Sequence, residues 1–164
     1  MQCIEAPVIE SVLEFASDLD AEQASEEMMK FATAQPDVLG FTNAFSEELR
    51  EEAQEVLIFL TFVIYRVFET AAADPIPTIS PEAIVAKYED NQSLIVGLDE
   101  KDDTSFEELA SLETANQPHL FGYITEALLE EDDPDDEIEL DDEEFGEIFM
   151  LLKTIIDVID AETN

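Results

Sequence analysis

The sequence predicts an all-α protein, a helical bundle of about eight helices. Apolar residues recur at steps of three and four along nearly the whole chain, and no segment alternates polar and apolar residues as a half-buried strand would. Only four glycines occur among 164 residues, which leaves few tight hairpin turns. At this length, and with 46% hydrophobic residues, we expect one domain, residues 1–164, with a single core.

The first half of the chain contains four predicted helices. Pro7 suits the first turn of the first helix, and Pro36 opens the third. The second helix should end near Gln35, because the residue before a proline disfavours helical geometry. The fourth is apolar on most faces, because Ile58, Phe59, Phe62 and Val63 cover much of its other side. Such a helix is typical of the middle of a bundle. The inward-facing residues, helix by helix, are Val8, Val12, Phe15 and Leu19; Ala24, Met28 and Phe31; Val38, Phe41 and Phe45; and Leu49, Ala53, Val56, Leu60, Ile64, Val67 and Ala71.

The second half follows a proline-rich linker at residues 74–79. Ser80 and Pro81 form a cap and a first-turn proline. Residues 94–98 fit either a short strand or the end of this helix, and a charged loop is expected at 99–103. Ser105 with Glu108 resembles a capping box for the next helix, which Gln117-Pro118 ends. The inward-facing residues are Ile84, Val85 and Tyr88; Phe106, Leu109 and Leu112; Leu120, Phe121, Ile124 and Leu128; and Phe145, Ile148, Phe149, Leu152, Ile155, Ile156 and Ile159.

The two halves resemble one another. Residues 35–41 read QPDVLGF, and residues 117–123 read QPHLFGY. Each motif is preceded by two helices and followed by a long apolar one, so the order of elements also repeats. We therefore predict two tandem pseudo-repeats of four helices, at about 5–74 and 80–161, that share one core. Their main difference is an acidic insertion after Glu131, which makes that insertion the better candidate for function.

The charge of the chain is extreme. Forty-three acids and six bases give a formal net charge of -37. A folded chain of this mass would carry about one net negative charge per 220 Å², against about one per 105 Å² for B-DNA. Direct nucleic-acid binding and adhesion to an anionic membrane are therefore not expected. The simplest interpretation of the acids is a solvated shell for solubility or salt adaptation.

The N-terminal residues and the lone cysteine bear on location. Residues 1–5 lack a base and a long apolar run, so we expect no signal peptide. The most hydrophobic segment, 56–65, is too short to span a bilayer. Cys3 is the single cysteine and cannot form an intramolecular disulfide, which favours a reducing cytoplasm. The expected location is cytoplasmic.

Catalytic motifs are sparse. His119 is the single histidine, so Glu-x-x-His metal pairs and Cys/His zinc sites are not supplied, and its place after Pro118 predicts an exposed helix start. No phosphate-binding glycine motif occurs. Arg66 and Lys153 lie within the two most apolar helices, where each should reach outward or pair with a carboxylate. We predict no catalytic, cofactor-binding or metal residues.

One register in the acidic stretch weakly resembles a calcium loop. Ile138 replaces the glycine that the sharp turn of such a loop needs, and in so acidic a run a match arises easily. The register therefore predicts no committed metal site. Its residues are Asp133, Asp135, Glu137, Asp141 and Glu144.

The charge and the absence of motifs lead to three classes of function. The first is a non-enzymatic interaction module that binds a basic protein surface. In composition alone the chain is similar to acidic helical DNA mimics, which implies a narrower alternative: an inhibitor of a nucleic-acid-binding protein. The second class is a weak divalent-cation-binding protein. The third is an enzyme with a carboxylate-lined pocket.

Overall fold

The structure, a computed structural model, describes residues 3–99, 117–129 and 142–163. These residues form seven helices and no strand, which confirms the all-α prediction. The helix expected from Ser105 lies outside the described residues. The seven helices are α1 (Ala6–Ser17), α2 (Ala21–Ala34), α3 (Pro36–Phe45), α4 (Glu51–Ala71), α5 (Pro81–Asp99), α6 (Pro118–Leu129) and α7 (Asp142–Glu162).

Prolines define most of the helix starts, as predicted. Helices α3, α5 and α6 each begin at a proline, and Pro7 occupies the first turn of α1. The Ser80 hydroxyl accepts a hydrogen bond from the backbone N–H of Ala83 at 3.2 Å, so Ser80 caps α5. Residues 94–98 continue α5 to Asp99, which settles the choice between strand and helix in favour of helix.

The core centres on two helices of 21 residues each, α4 and α7. In α4 the consecutive residues 60–65 are all buried, and in α7 the same holds for residues 151–156. Burial on every side of a helix requires neighbours on every side, so both helices lie inside the bundle. Some details of α4 depart from the expected pattern: Leu49 lies in the turn before it, the Phe59 side chain is 45% exposed, and Ala71 is exposed at its end. Ala24 of α2 was also predicted to face inward and is exposed.

The remaining helices surround this central pair in a regular way. Helix α1 packs on α4, and α5 packs on α7. Helix α3 contacts both α4 and α5, while α6 contacts both α7 and α1. Helices α1, α3, α5 and α6 therefore each bridge one central helix and one helix from the other half of the chain, whereas α2 packs on α3 and α4 of its own half.

Two buried glutamines bind the backbone segments that precede α5 and α1. The Gln35 side chain accepts a hydrogen bond from the Ile79 backbone N–H at 3.0 Å and donates one to the Pro77 carbonyl at 2.9 Å. The Gln117 side chain accepts one from the Ile4 backbone N–H at 2.9 Å. Residues 72–80 include the predicted linker and contain no helix, yet Ile79 is fully buried. The glutamine before α3 thus fixes the segment before α5, and the glutamine before α6 fixes the segment before α1.

Candidate functional site

The bases of the described residues are mostly neutralised by carboxylates of the same chain. Lys30 Nζ lies 2.8 Å from Glu27, and this hydrogen-bonded pair raises the pKa of Lys30. Arg66, Arg50 and Lys153 make the other ion pairs described below. Because so few positive charges are left to oppose the acids, the outer surface presents carboxylates almost alone to an incoming molecule.

Lys153 belongs to a buried polar network between α5 and α7. Its ammonium donates to Asp157 Oδ2 at 2.6 Å and to Asn91 Oδ1 at 2.8 Å. The Asn91 amide in turn donates to Thr154 Oγ1 at 3.1 Å. The Lys153 residue is only 4% exposed, so the prediction of a carboxylate partner is correct, but the side chain does not reach solvent. The network supplies hydrogen bonds to a charge that would otherwise be costly to bury.

Arg66 combines an ion pair with an aromatic contact. Its Nη1 lies 2.7 Å from Glu69 Oε2, in accordance with the predicted carboxylate pairing. Its Cζ lies 4.9 Å from the ring centroid of Phe15 on α1, within the range of a cation–π interaction. The guanidinium is therefore held between a carboxylate and a ring, an arrangement well suited to arginine.

Arg50 ties the start of α4 to the start of α7. Its guanidinium donates from Nε and Nη2 to both carboxylate oxygens of Glu144 at 2.8–3.2 Å. Two parallel hydrogen bonds of this kind fix both side chains. Glu144, the last residue of the weak calcium register, is buried and already engaged as an ion-pair partner.

The other candidate positions of the sequence either lie outside the described residues or are exposed at the ends of helices and segments. Residues 133, 135, 137 and 141 of the calcium register lie outside the described residues, as does the acidic insertion. Within residues 3–99, 117–129 and 142–163, no three His, Cys, Asp or Glu side chains converge as metal ligands would. His119 is exposed in the first turn of α6, as predicted, and Cys3 is an exposed free thiol.

A cluster of three aromatic rings lies where α3 meets α5. The centroid of Phe45 is 4.6 Å from that of Phe41 and 4.8 Å from that of Tyr88, and Phe41 and Tyr88 are 5.6 Å apart. Burial, followed by the charge of Glu147, raises the pKa of Tyr88. Within the cluster the Phe41 side chain is buried, whereas the Phe45 side chain is 42% exposed. Helical spacing predicted all three rings to face inward, but it could not predict this partly exposed cluster, because the rings come from helices about 40 residues apart.

No described helix has the length and hydropathy needed to cross a bilayer. No known protein family, curated protein or solved structure matches the chain. The charges and exposed side chains of the described residues are therefore the basis for a functional proposal.

Proposed function

We propose that this chain is a non-enzymatic protein-interaction module whose acidic surface binds a basic protein partner. The observation that carries the proposal is the disposition of charge. A net charge of -37 is combined with internal pairing of most described bases, so the negative potential outside the protein is nearly unopposed. A surface of one sign attracts a partner of the other sign and repels polyanions.

The exposed carboxylates are spread over several helices. Exposed acids on α1, α2, α4 and α5 include Glu10, Glu14, Glu22, Glu26, Glu51, Glu52, Glu55, Glu82, Glu89 and Asp90. Their attraction for the charges of an approaching partner is screened at distances beyond a Debye length of about 8 Å at physiological salt. Binding should therefore weaken steeply as salt is added, mainly through a slower association rate.

The test is retention of proteins on immobilised full-length chain at about 50 mM and about 500 mM salt, conditions that differ severalfold in Debye length. The proposal expects retained proteins to be basic and to elute at the higher salt. Their direct binding is then checked with purified components by isothermal titration calorimetry. Retention that is indifferent to salt, or a retained set without basic proteins, would refute the electrostatic mechanism.

A row of carboxylates supports the narrower alternative of a DNA mimic that inhibits a nucleic-acid-binding protein. Glu10 and Glu14 are exposed on α1, and the exposed Asp18 directly follows its last residue. The three acids are four residues apart, which is about 6 Å of rise per interval in a helix. Alternate phosphates of one B-DNA strand are separated by about 6.8 Å of rise. A competition experiment distinguishes a DNA mimic from a general interaction module. Double-stranded DNA should displace the partner of a DNA mimic, because both bind the same site, and should leave any other partner bound.

The weak cation-binding alternative is tested by calorimetric titration with calcium at physiological salt. Saturable heat that is lost when carboxylates of the 130–147 stretch are replaced by amides would favour it. A titration with no saturable heat would remove it, because diffuse attraction of cations to a surface has no defined stoichiometry.

We further propose that the single domain of residues 1–164 arose by duplication, with copies at about 5–74 and 80–161. The pairing of α1 with α4 corresponds to that of α5 with α7, and the contact of α3 with α5 corresponds to that of α6 with α1. The bonds of Gln35 and Gln117 follow the same exchange between halves. These correspondences support one shared core in which each copy completes the other.

A further inference from the structure

The partly exposed aromatic cluster has a neighbour on α5 that enlarges it. Val85 precedes Tyr88 by three residues, so the two side chains lie on the same side of the helix. Four large hydrophobic side chains of the described residues are markedly exposed: Met29 (67%), Phe59 (45%), Phe45 (42%) and Val85 (41%). Two of the four thus belong to one surface, which we call the aromatic patch and define as Phe41, Phe45, Val85 and Tyr88.

Carboxylates surround the aromatic patch. Glu82 and Glu89 are exposed on α5, three residues before and four residues after Val85, and so share its face. Glu47 and Glu48 are exposed in the turn that directly follows Phe45.

Two further charged residues lie on neighbouring parts of α7 and α5. Glu147 of α7 is close enough to affect Tyr88 electrostatically. Lys87 is the nearest base in the α5 sequence, but it lies about 200° around the helix from Val85. An apolar centre with an acidic rim is therefore what an approaching molecule meets.

Charge complementarity selects the occupant of this surface. A second copy of the chain would bring the same carboxylates face to face, and nucleic acid or anionic lipid would be repelled in the same way. A basic segment is attracted. Of the two basic side chains, arginine is favoured at such a surface, because its planar guanidinium stacks on aromatic faces and binds carboxylates through two donors. The lysine ammonium is a strongly hydrated point charge and lacks this planar geometry. The chain already contains such a site internally, where Arg66 lies between Phe15 and Glu69.

We propose that the aromatic patch is the docking point for an arginine-bearing segment of a protein partner. The guanidinium stacks on the exposed ring of Phe45 and the half-buried ring of Tyr88, while the rim carboxylates pair with flanking bases. This inference depends on the proposed function, because it assigns the specific contact within an interface that is otherwise electrostatic. Aromatic and arginine side chains dominate the binding energy of many interfaces, whereas rim charges contribute mainly to association.

The experiment uses two fluorescein-labelled peptides of equal length and charge, one of alternating Arg and Ala and one of alternating Lys and Ala. Fluorescence anisotropy with the full chain at physiological salt should show tighter binding of the Arg peptide. Phe45→Leu keeps apolar volume but removes the ring, so it should weaken Arg-peptide binding about 3- to 10-fold and abolish the preference for Arg over Lys. Phe59→Leu removes an equally exposed ring from α4 and should change neither quantity.

The possible outcomes separate the two proposals. If both peptides bind with strong salt dependence but Phe45→Leu behaves like Phe59→Leu, the docking point is refuted and the acidic interaction surface is not. If the wild-type chain binds neither peptide even at low salt, the proposed function itself is refuted, and the docking point with it. Tyr88→Leu, checked by circular dichroism for helix content, provides a second variant and should reproduce the loss of Arg preference.

Discussion

Replacing Gln35 by leucine should destabilise the protein by about 1.5–4 kcal/mol, although the substitution keeps a similar volume. The Gln35 side chain is fully buried and forms two hydrogen bonds to the segment before α5. Leucine leaves the buried N–H of Ile79 without its acceptor, which costs about 1–3 kcal/mol. The Pro77 carbonyl belongs to an exposed residue, and water can replace its lost donor. Its contribution is therefore smaller, about 0.5–1 kcal/mol.

The assay is urea denaturation followed by far-ultraviolet circular dichroism, with thermal melting as a second measure. For a domain of this size the change corresponds to a decrease in Tm of about 3–16 °C. The matched control is Gln92→Leu, which removes a single exposed hydrogen bond to Tyr88 and should alter stability by less than about 0.5 kcal/mol. Equal stability of Gln35→Leu and the wild-type chain, with unchanged m-values, would refute the reasoning.

The second glutamine extends the test to the proposed duplication. Gln117 accepts from the Ile4 N–H and donates to Asp160 Oδ1 at 2.8 Å, and both partner residues are buried. Gln117→Leu should therefore destabilise the protein at least as much as Gln35→Leu. A negligible effect at Gln117 beside a large one at Gln35 would contradict the idea that the two glutamines have corresponding roles.

Two further predictions concern buried and partly buried titratable groups. Lys153→Met should lower the free energy of unfolding by about 1–3 kcal/mol, because it leaves the buried Asn91 Oδ1 without its donor and the partly exposed Asp157 without its cation. Lys30→Met, at an exposed site, should change urea denaturation little, and similar midpoints for the two variants would contradict this. Burial, and then Glu147, raises the pKa of Tyr88 above its usual 10.0, so the folded state favours the neutral phenol. Its contribution is complete below a pH of about 10 and is lost as pH rises through the folded-state pKa. Tyr88→Phe should flatten the alkaline decline in stability, and a decline as steep as that of the wild-type chain would argue against this origin.

Local signals in the sequence predicted much of the fold. The backbone restrictions of proline are local, and Pro36, Pro81 and Pro118 each begin a helix as expected. The side chain of Gln35 could not be interpreted in the same way, since its partner is 44 residues away and no local pattern encodes that pairing. Gln35 was predicted only to mark a helix end, yet its amide also connects two parts of the fold.

The aromatic patch and Lys153 illustrate the same limit for the candidate site. Helical periodicity identifies Phe45 and Tyr88 as inward-facing, but it does not show how far each ring extends past the edge of its neighbours. For Lys153, a polar residue within an apolar helix predicts a paired charge but not whether that pair lies in solvent or in the core. The answer depends on Asn91, which belongs to another helix and accepts one of the ammonium hydrogen bonds.

The reciprocal glutamine bonds also impose an order on events during synthesis. Ile4 and Gln117 are 113 residues apart, so at about 5–20 residues per second the ribosome needs roughly 6–23 s to deliver the second partner after the first. The bond between Gln35 and Ile79 spans 44 residues and becomes possible much sooner after its first member emerges. Helix α1 can pack on α4 within the first half. The hydrogen bond of Ile4, in the segment before α1, can form only when Gln117 of the second half has emerged. The segment before α1 thus reaches its final environment only after most of the second half has been synthesised.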